Sequence, residues 1–309
     1  MCENPRANET AVQYYRCSSE LSLMKHVLAL TLLTMLAFAG NSIIVRVALV
    51  SDAIGPLSFG LIRLLAGAIV LALLVSPKHA FSSGSWKGAL CLLAYVVFFS
   101  YAYLSLDAGT GALILFAMVQ IVMIGFGVAH GERLSIVQWC GAAIAFNGFG
   151  LLLRPGAVAS PEPFGAWMMA VAGLGWGLYS LLGRNVQDPT LATAGNFMRA
   201  FLLALLISLP LFWIRPEGFP TTKGIVLAIV SGSVTSGLGY ALWYRVLRHL
   251  PATRAGIAQL SVPAIAALGG VAFLNEAVTT RLLVTSTMVL GGVAVATIQV
   301  STTSESSEQ

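Results

Sequence analysis

Two arginines stand where arginine is expensive. Arg63 and Arg199 each lie about 8 to 10 residues into a continuous apolar run. An arginine at the centre of a membrane helix costs about 2.5–3.5 kcal/mol. Such a residue needs a cavity, a partner, or a path to the interface. The chemistry on offer is contact with an anion or a carboxylate. The competing use is structural: binding helix carbonyls, or reaching lipid headgroups. Carboxylates are informative by position. Asp52, Asp107, Asp188, Glu132, Glu162, Glu217 and Glu276 all fall at the ends of apolar runs. No acid sits mid-run to exchange a cation for a proton, so a neutral, zwitterionic or anionic substrate is favoured. Any proton coupling would have to use an acid at a helix end, or the substrate itself. Glu132 and Glu276 each precede a helix, where a carboxylate would cap free N–H groups or serve a gate.

Uncharged polar groups lie deeper: Asn41, Ser100, Gln120, Asn147, Asn196, Ser236 and Gln259. Such groups either face a substrate path or hold helices together. Among the aromatics, Tyr101, Trp176 and Tyr240 suit a cavity. Tyr103 and Tyr244 sit at run ends and suit the interfacial belt. The expected substrate pathway is therefore Asn41, Arg63, Tyr101, Gln120, Trp176, Tyr179, Asn196, Arg199, Tyr240 and Gln259, with Glu132 and Glu276 as helix cap or gate. No histidine has metal-ligand spacing, no Walker-type loop is present, and no cofactor is expected.

The elements that position these groups follow from composition. The chain is 57% hydrophobic and 9% charged over 309 residues, against about 25% charged for a soluble domain. Lipid must be much of its solvent. Ten runs have bilayer length, covering 26–48, 56–76, 88–106, 109–129, 134–153, 163–183, 190–213, 224–244, 252–274 and 280–301. Backbone groups in hydrocarbon must be satisfied internally, so the expected fold is all-α.

The runs repeat. Tyr103 to Glu132 has the layout of Tyr244 to Glu276: a turn, an apolar helix, then an acid. Arg133-Leu134-Ser135 answers Ala277-Val278-Thr279, and Gly148 answers Gly292. Ser42 to Arg46 matches Ser180 to Arg184, and Arg63 matches Arg199. The expected domains are a polar tail at 1–23, a repeat at 24–153, a linker at 154–162, a second repeat at 163–301 and a polar tail at 302–309. Met24-Lys25-His26 looks like a natural start, which would make the first 23 residues a mis-called extension or a disordered tail. Five helices per repeat is an odd number, so the second copy is inverted across the membrane. Lys and Arg distribute ten to five in favour of cytoplasmic ends, so both termini face the cytoplasm.

These motifs resemble the EamA family of the drug/metabolite transporter superfamily, over nearly all of Lys25 to Val300. Leu250-Pro-Ala-Thr-Arg-Ala255 and Gly131-Glu-Arg-Leu-Ser135 carry the likeness, together with Trp176-Gly177. The first repeat has Ala39-Gly40-Asn41 where the family has Trp-Gly, which implies a roomier, more polar cavity near Asn41. The resemblance implies a secondary transporter of the inner membrane, moving amino acids or related zwitterionic or anionic metabolites by alternating access. Export is the expected direction, with uptake as the alternative. An integral-membrane enzyme and a non-transporting receptor or scaffold are the other readings, but the enzyme motifs HExxH and GxSxG are absent. The expected partners are a small molecule and the lipid bilayer, with no nucleic acid; a homodimer is compatible with the chain.

Overall fold

A computed structural model describes residues 5–131, 134–154, 160–183, 186–214, 216–247 and 258–297. The described residues form helices joined by short turns. The elements are α1 (Pro5–Val50), α2 (Pro56–Val75), a short α3 (Pro77–Ser82), α4 (Trp86–Ala102), α5 (Ala108–Ala129), α6 (Ile136–Leu153), α7 (Pro163–Gly183) and α8 (Pro189–Ile214). Then come α9 (Thr222–Val230), a π-helical stretch (Ser231–Leu238), α10 (Gly239–Leu247), α11 (Ser261–Leu274) and α12 (Thr280–Thr297). Seven helical stretches are long and apolar enough to cross a membrane. Three shorter apolar helices, Trp86–Ala102, Ser261–Leu274 and Thr280–Ala296, accompany them.

Helix α1 extends 46 residues, about 69 Å at 1.5 Å per residue. Only Lys25–Val50 is apolar enough to be its span. Helix starts are set by short polar side chains. Ser85 Oγ accepts from Gly88 N at 3.0 Å, and Thr221 Oγ1 from Gly224 N at 3.2 Å. Ser135 and Gln138 form a reciprocal capping box, which satisfies two of the N–H groups a helix start leaves free. Thr279 Oγ1 accepts from Leu282 N at 3.1 Å. Ser135 and Thr279, the matched third residues after the repeat's acids, thus begin α6 and α12.

The outer surface carries Leu73, Leu206, Leu268 and Trp213, each more than two-thirds exposed. In water these would make an untenable patch; against lipid they are at home.

Packing is mostly between halves. Helix α6 lies along α12, α4 and α5 lie against α7, α2 lies against α8, and α1 lies against α10 and α11. Exchanging first-half for second-half helices maps many of these contacts onto one another. Gly148 and Gly292 serve the α6–α12 pair. A Cβ on Gly292 would sit 2.5 Å from Ala145 N, and one on Gly148 would sit 2.6 Å from Met288 Cβ.

The turns collect at two ends. Thr221 N donates to Ala53 O at 2.8 Å, Arg46 reaches the Tyr103 and Leu104 carbonyls, and Ser105 Oγ reaches Glu162. These contacts bring the α1–α2, α4–α5, α6–α7 and α8–α9 turns to one end. Ser83 and Ser85, in the turn before α4, instead meet Arg199 and Asn196 of α8.

Candidate functional site

The site begins at a close crossing. The π-helical stretch reads Ser-Gly-Ser-Val-Thr-Ser-Gly-Leu, small and polar throughout. A Cβ on Gly232 would lie 2.2 Å from Arg63 O, and one on Gly67 would lie 3.0 Å from Gly232 O. Only glycine lets α2 and this stretch meet so closely. The meeting carries hydroxyls from the second half onto Arg63 and Asn41. A π-helical turn inside an α-helix is rare and occurs often at functional sites.

Arg63 is fully buried. Its Nε donates to Ser236 Oγ at 3.1 Å, and its Nη2 donates to the Tyr95 hydroxyl at 3.1 Å. The guanidinium carbon lies 5.0 Å from the Tyr95 ring centroid and 5.4 Å from that of Phe99. Asn41 Nδ2 donates to the same Tyr95 hydroxyl at 3.3 Å. Asn41 Oδ1 accepts from Ser231 Oγ at 2.7 Å and lies 3.0 Å from Thr235 Oγ1. One network therefore joins α1, α2, α4 and the π-helical stretch.

Aromatic rings close over it. Trp176 stands 4.8 Å from Tyr240, 5.1 Å from Tyr95 and 6.0 Å from Phe38, between ring centroids. Phe38 also meets Tyr240 edge-on at 5.9 Å. The cavity between network and rings, lined by Asn41, Tyr95, Phe116, Trp176, Thr235 and Tyr240 among others, holds only about 20 Å³. That is room for about one water. The absence of a tryptophan at Ala39 does not leave a wide space, because Phe38 of the same helix fills it.

Of the expected pathway residues, Asn41, Trp176 and Tyr240 line this one cavity, and Arg63 stands behind it, joined through the Tyr95 hydroxyl. The other expected pathway residues go elsewhere. Arg199 Nη1 donates to Ser83 O and, at 3.1 Å, to Gly195 O, and its guanidinium lies over Trp86. Asn196 Oδ1 accepts from Ser85 N at 2.7 Å. Both fasten the start of α4 to α8. Tyr179 donates to Thr193 Oγ1 at 3.2 Å, beside Trp176 but behind the cavity wall. Gln120 lines an apolar crevice with Phe146 and Val289. Tyr101 is half-buried and Gln259 is buried just before α11, and neither lines the cavity around Asn41. Tyr103, expected at the lipid interface, is fully buried and donates to Ala108 O at 3.3 Å.

Glu276 differs from its expectation too. Asn275 takes a left-handed conformation, φ 55°, which ends α11 and which asparagine tolerates. The chain turns back, and Glu276 caps the start of α5 rather than α12: its Oε2 accepts from Ala108 N at 2.9 Å. Its Oε1 pairs with Arg46 Nε at 3.2 Å, and Asp107 stands 3.6 Å from Arg46 Nη2. Burial, and the nearby Asp107, push the Glu276 carboxyl above its ordinary value despite Arg46. Glu132 lies outside the described residues.

The sequence reading missed Tyr95, Phe38 and the π-helical hydroxyls Ser231 and Thr235. Tyr95 gave a usable signal: it sits mid-run, too deep for an interfacial belt.

The model of the EamA-like transporter family matches residues 25–154 and 163–298. The chain belongs to this family. This EamA chain is a multi-pass membrane protein with two copies of the family unit. It is 45% identical, over 274 residues, to an uncharacterised protein of Pseudomonas aeruginosa, covering 87% of this chain and 94% of that one. An uncharacterised transporter of Bacillus subtilis is 24% identical over 255 residues, covering 78% and 86%. A probable terminal-alkyne amino-acid exporter of Streptantibioticus cattleyicolor is 24% identical over 268 residues, covering 83% and 88%. A crystal structure with 18% identity superposes with a TM-score of 0.63, over 88% of this chain and 97% of its own, which speaks for the fold.

Proposed function

We propose that this EamA chain is a secondary transporter that exports small zwitterionic or anionic metabolites, such as amino acids, across the inner membrane by alternating access. The observation that carries this reading is the buried polar network around Arg63 and Asn41. Both halves build it, aromatic rings close it, and it lies in a chain of a transporter family. Export of an amino-acid-like solute is favoured by the similarity to the Streptantibioticus exporter. Ten crossings in two inverted halves, with both termini cytoplasmic, fit the interleaved packing and the two sets of turns. The small cavity then belongs to an occluded form, which widens when either end opens. Movement would be driven by the substrate gradient, by exchange or by protons.

The test is counterflow with the purified chain in liposomes loaded with unlabelled amino acids and small carboxylates. Labelled solute accumulating only against its own kind supports transport. Chemical conversion of solute without flux would overturn the reading. Cysteines replacing Lys78 and Lys223 should react with impermeant label from opposite faces. Labelling from one face would remove the inverted arrangement.

A further inference from the structure

We infer that the seam between α5 and the α6–α12 pair binds one phospholipid with an ethanolamine phosphate headgroup. The head sits in a polar mouth at one end of the bundle, and an acyl chain runs down the seam. This goes beyond the transport reading and needs only the chain's place in a membrane.

The seam has two openings. At the end that carries Glu276, a cleft of about 310 Å³ is lined by Asp107, Thr110, Ser160, Glu162, Thr279 and Arg281 among others. That volume suits a small-molecule group. Deeper in the bundle lies a narrow apolar crevice whose one polar residue is Gln120. The two openings share the same faces of the same helices. On α5, Thr110 borders the cleft, and Ala117, Ile121 and Ile124 border the crevice at i+7, i+11 and i+14. On α12, Leu282 borders the cleft, and Val289 and Val293 border the crevice at i+7 and i+11. On α6, Leu152 belongs to the cleft and Phe149, Ala145 and Ala142 to the crevice. These spacings each describe one side of a helix. Leu115 and Phe116 of α5 line the central cavity instead, so the seam is separate from it.

Packing leaves the seam open. Glycines lock α6 onto α12, whereas α5 meets α6 only lightly. Around the crevice Ile121, Ile124 and Phe149 are half-buried and Phe146 is exposed, so it opens sideways to hydrocarbon. The distance between the openings fits an acyl chain. From Thr110 to Ile121 the helix rises about 16 Å, and half of the hydrocarbon core is about 15 Å thick.

The mouth selects the headgroup. Asp107 and Glu162 are acceptors for a primary ammonium, and Arg281 with the Thr110 and Thr279 hydroxyls suits a phosphate, both through charge-assisted hydrogen bonds. A phosphoglycerol head would bring negative charge to the two acids with no ammonium to meet them. A choline head has no N–H to donate to them.

The test is native mass spectrometry of the purified, delipidated full chain, given dioleoyl phosphatidylethanolamine, phosphatidylcholine or phosphatidylglycerol in turn. The first should be retained, one per chain, at a concentration about tenfold below the other two, the scale of one hydrogen bond to a charged group. Glu162→Gln removes an ammonium partner and Ile121→Trp fills the crevice; each should raise the concentration needed severalfold. Leu206→Trp, on the exposed face of α8, should leave it unchanged. Four results would overturn the proposal. The three lipids are retained equally; neither seam variant weakens retention; water-soluble glycerophosphoethanolamine displaces the lipid at equal concentration, which leaves the crevice idle; or a dimer forms without lipid and is lost in Ile121→Trp, which gives the seam to a second copy of the chain.

Discussion

Arg46 Nε and Glu276 Oε1 meet at 3.2 Å, joining the end of α1 to the turn between α11 and α12. Both side chains are nearly buried, 13% and 11% exposed. Arg46 also donates to the Tyr103 and Leu104 carbonyls at 2.9 and 3.1 Å, and Glu276 holds the start of α5. One ion pair therefore ties four elements from both halves at a single end of the bundle. In an alternating-access cycle it would have to break whenever that end opened.

Removing one partner should therefore destabilise this closed form. Arg46→Gln or Glu276→Ala is expected to cost about 1–3 kcal/mol, the range for stranding a hydrogen-bonded charged group. The double substitution should cost less than the sum of the singles. Thermal unfolding of all four proteins in detergent measures the coupling. A cysteine at Thr110, which lines the cleft at this end, should also become more reactive in each single variant.

The acids at this end predict opposite pH responses. The folded state raises the Glu276 carboxyl above 4.5, mainly through burial. It therefore holds its proton more tightly than the unfolded chain. The associated stability is present below 4.5 and fades as pH rises through the raised value. The folded state lowers Glu162 below 4.5, chiefly through the Gly165 and Phe164 N–H groups. Its stability is present above 4.5 and fades as pH falls through the lowered value. Glu276→Gln should flatten the loss of Tm on the rising side, and Glu162→Gln the loss on the acid side. A Tm series from about pH 3 to pH 8 reads both, around ordinary carboxylate values.

The glycine crossing predicts a packing defect. Gly232→Ala puts a methyl 2.2 Å from the Arg63 carbonyl, so α2 and the π-helical stretch must separate. A cost of about 1–3 kcal/mol is expected for such overpacking. Ser236 would be drawn away from Arg63 with it. Gly150, with nothing within 4 Å of an added Cβ, is the control: Gly150→Ala should leave Tm unchanged or slightly higher. Unfolding curves for the pair decide the matter.

Asn196 should behave as a fastener. Asn196→Ala removes the acceptor that holds Ser85 N at the start of α4, a loss of about 1 kcal/mol for a cap-type contact. Substrate affinity in the residual folded protein should be unchanged. Reduced affinity at normal Tm would instead place Asn196 in the substrate path.

Much of the helical framework was legible in the chain. The run at 163–183 coincides with α7, and the run at 56–76 ends one residue beyond α2. Long apolar runs broken by proline and glycine leave little freedom once hydrocarbon is the solvent. The run at 88–106 overshot, because Tyr103–Leu106 form an equally apolar turn. Hydropathy does not separate a helix from an apolar turn. The polar stretch before Lys25 was expected as a mis-called extension or a disordered tail, yet α1 includes it from Pro5.

The sequence by itself determined the membrane class, the duplicated unit and the candidate list that included Arg63, because lipid solvation, repetition and the cost of a buried charge are all properties of residues in order. Tertiary structure alone separated Arg63 from Arg199. The two hold matched places in the repeat, but one side chain packs among rings and hydroxyls in the bundle centre while the other reaches the Ser83 carbonyl. Which neighbour a side chain meets depends on helix rotation and on close approaches such as Gly232 on Arg63. Those are set by packing between segments more than a hundred residues apart, which no local pattern records.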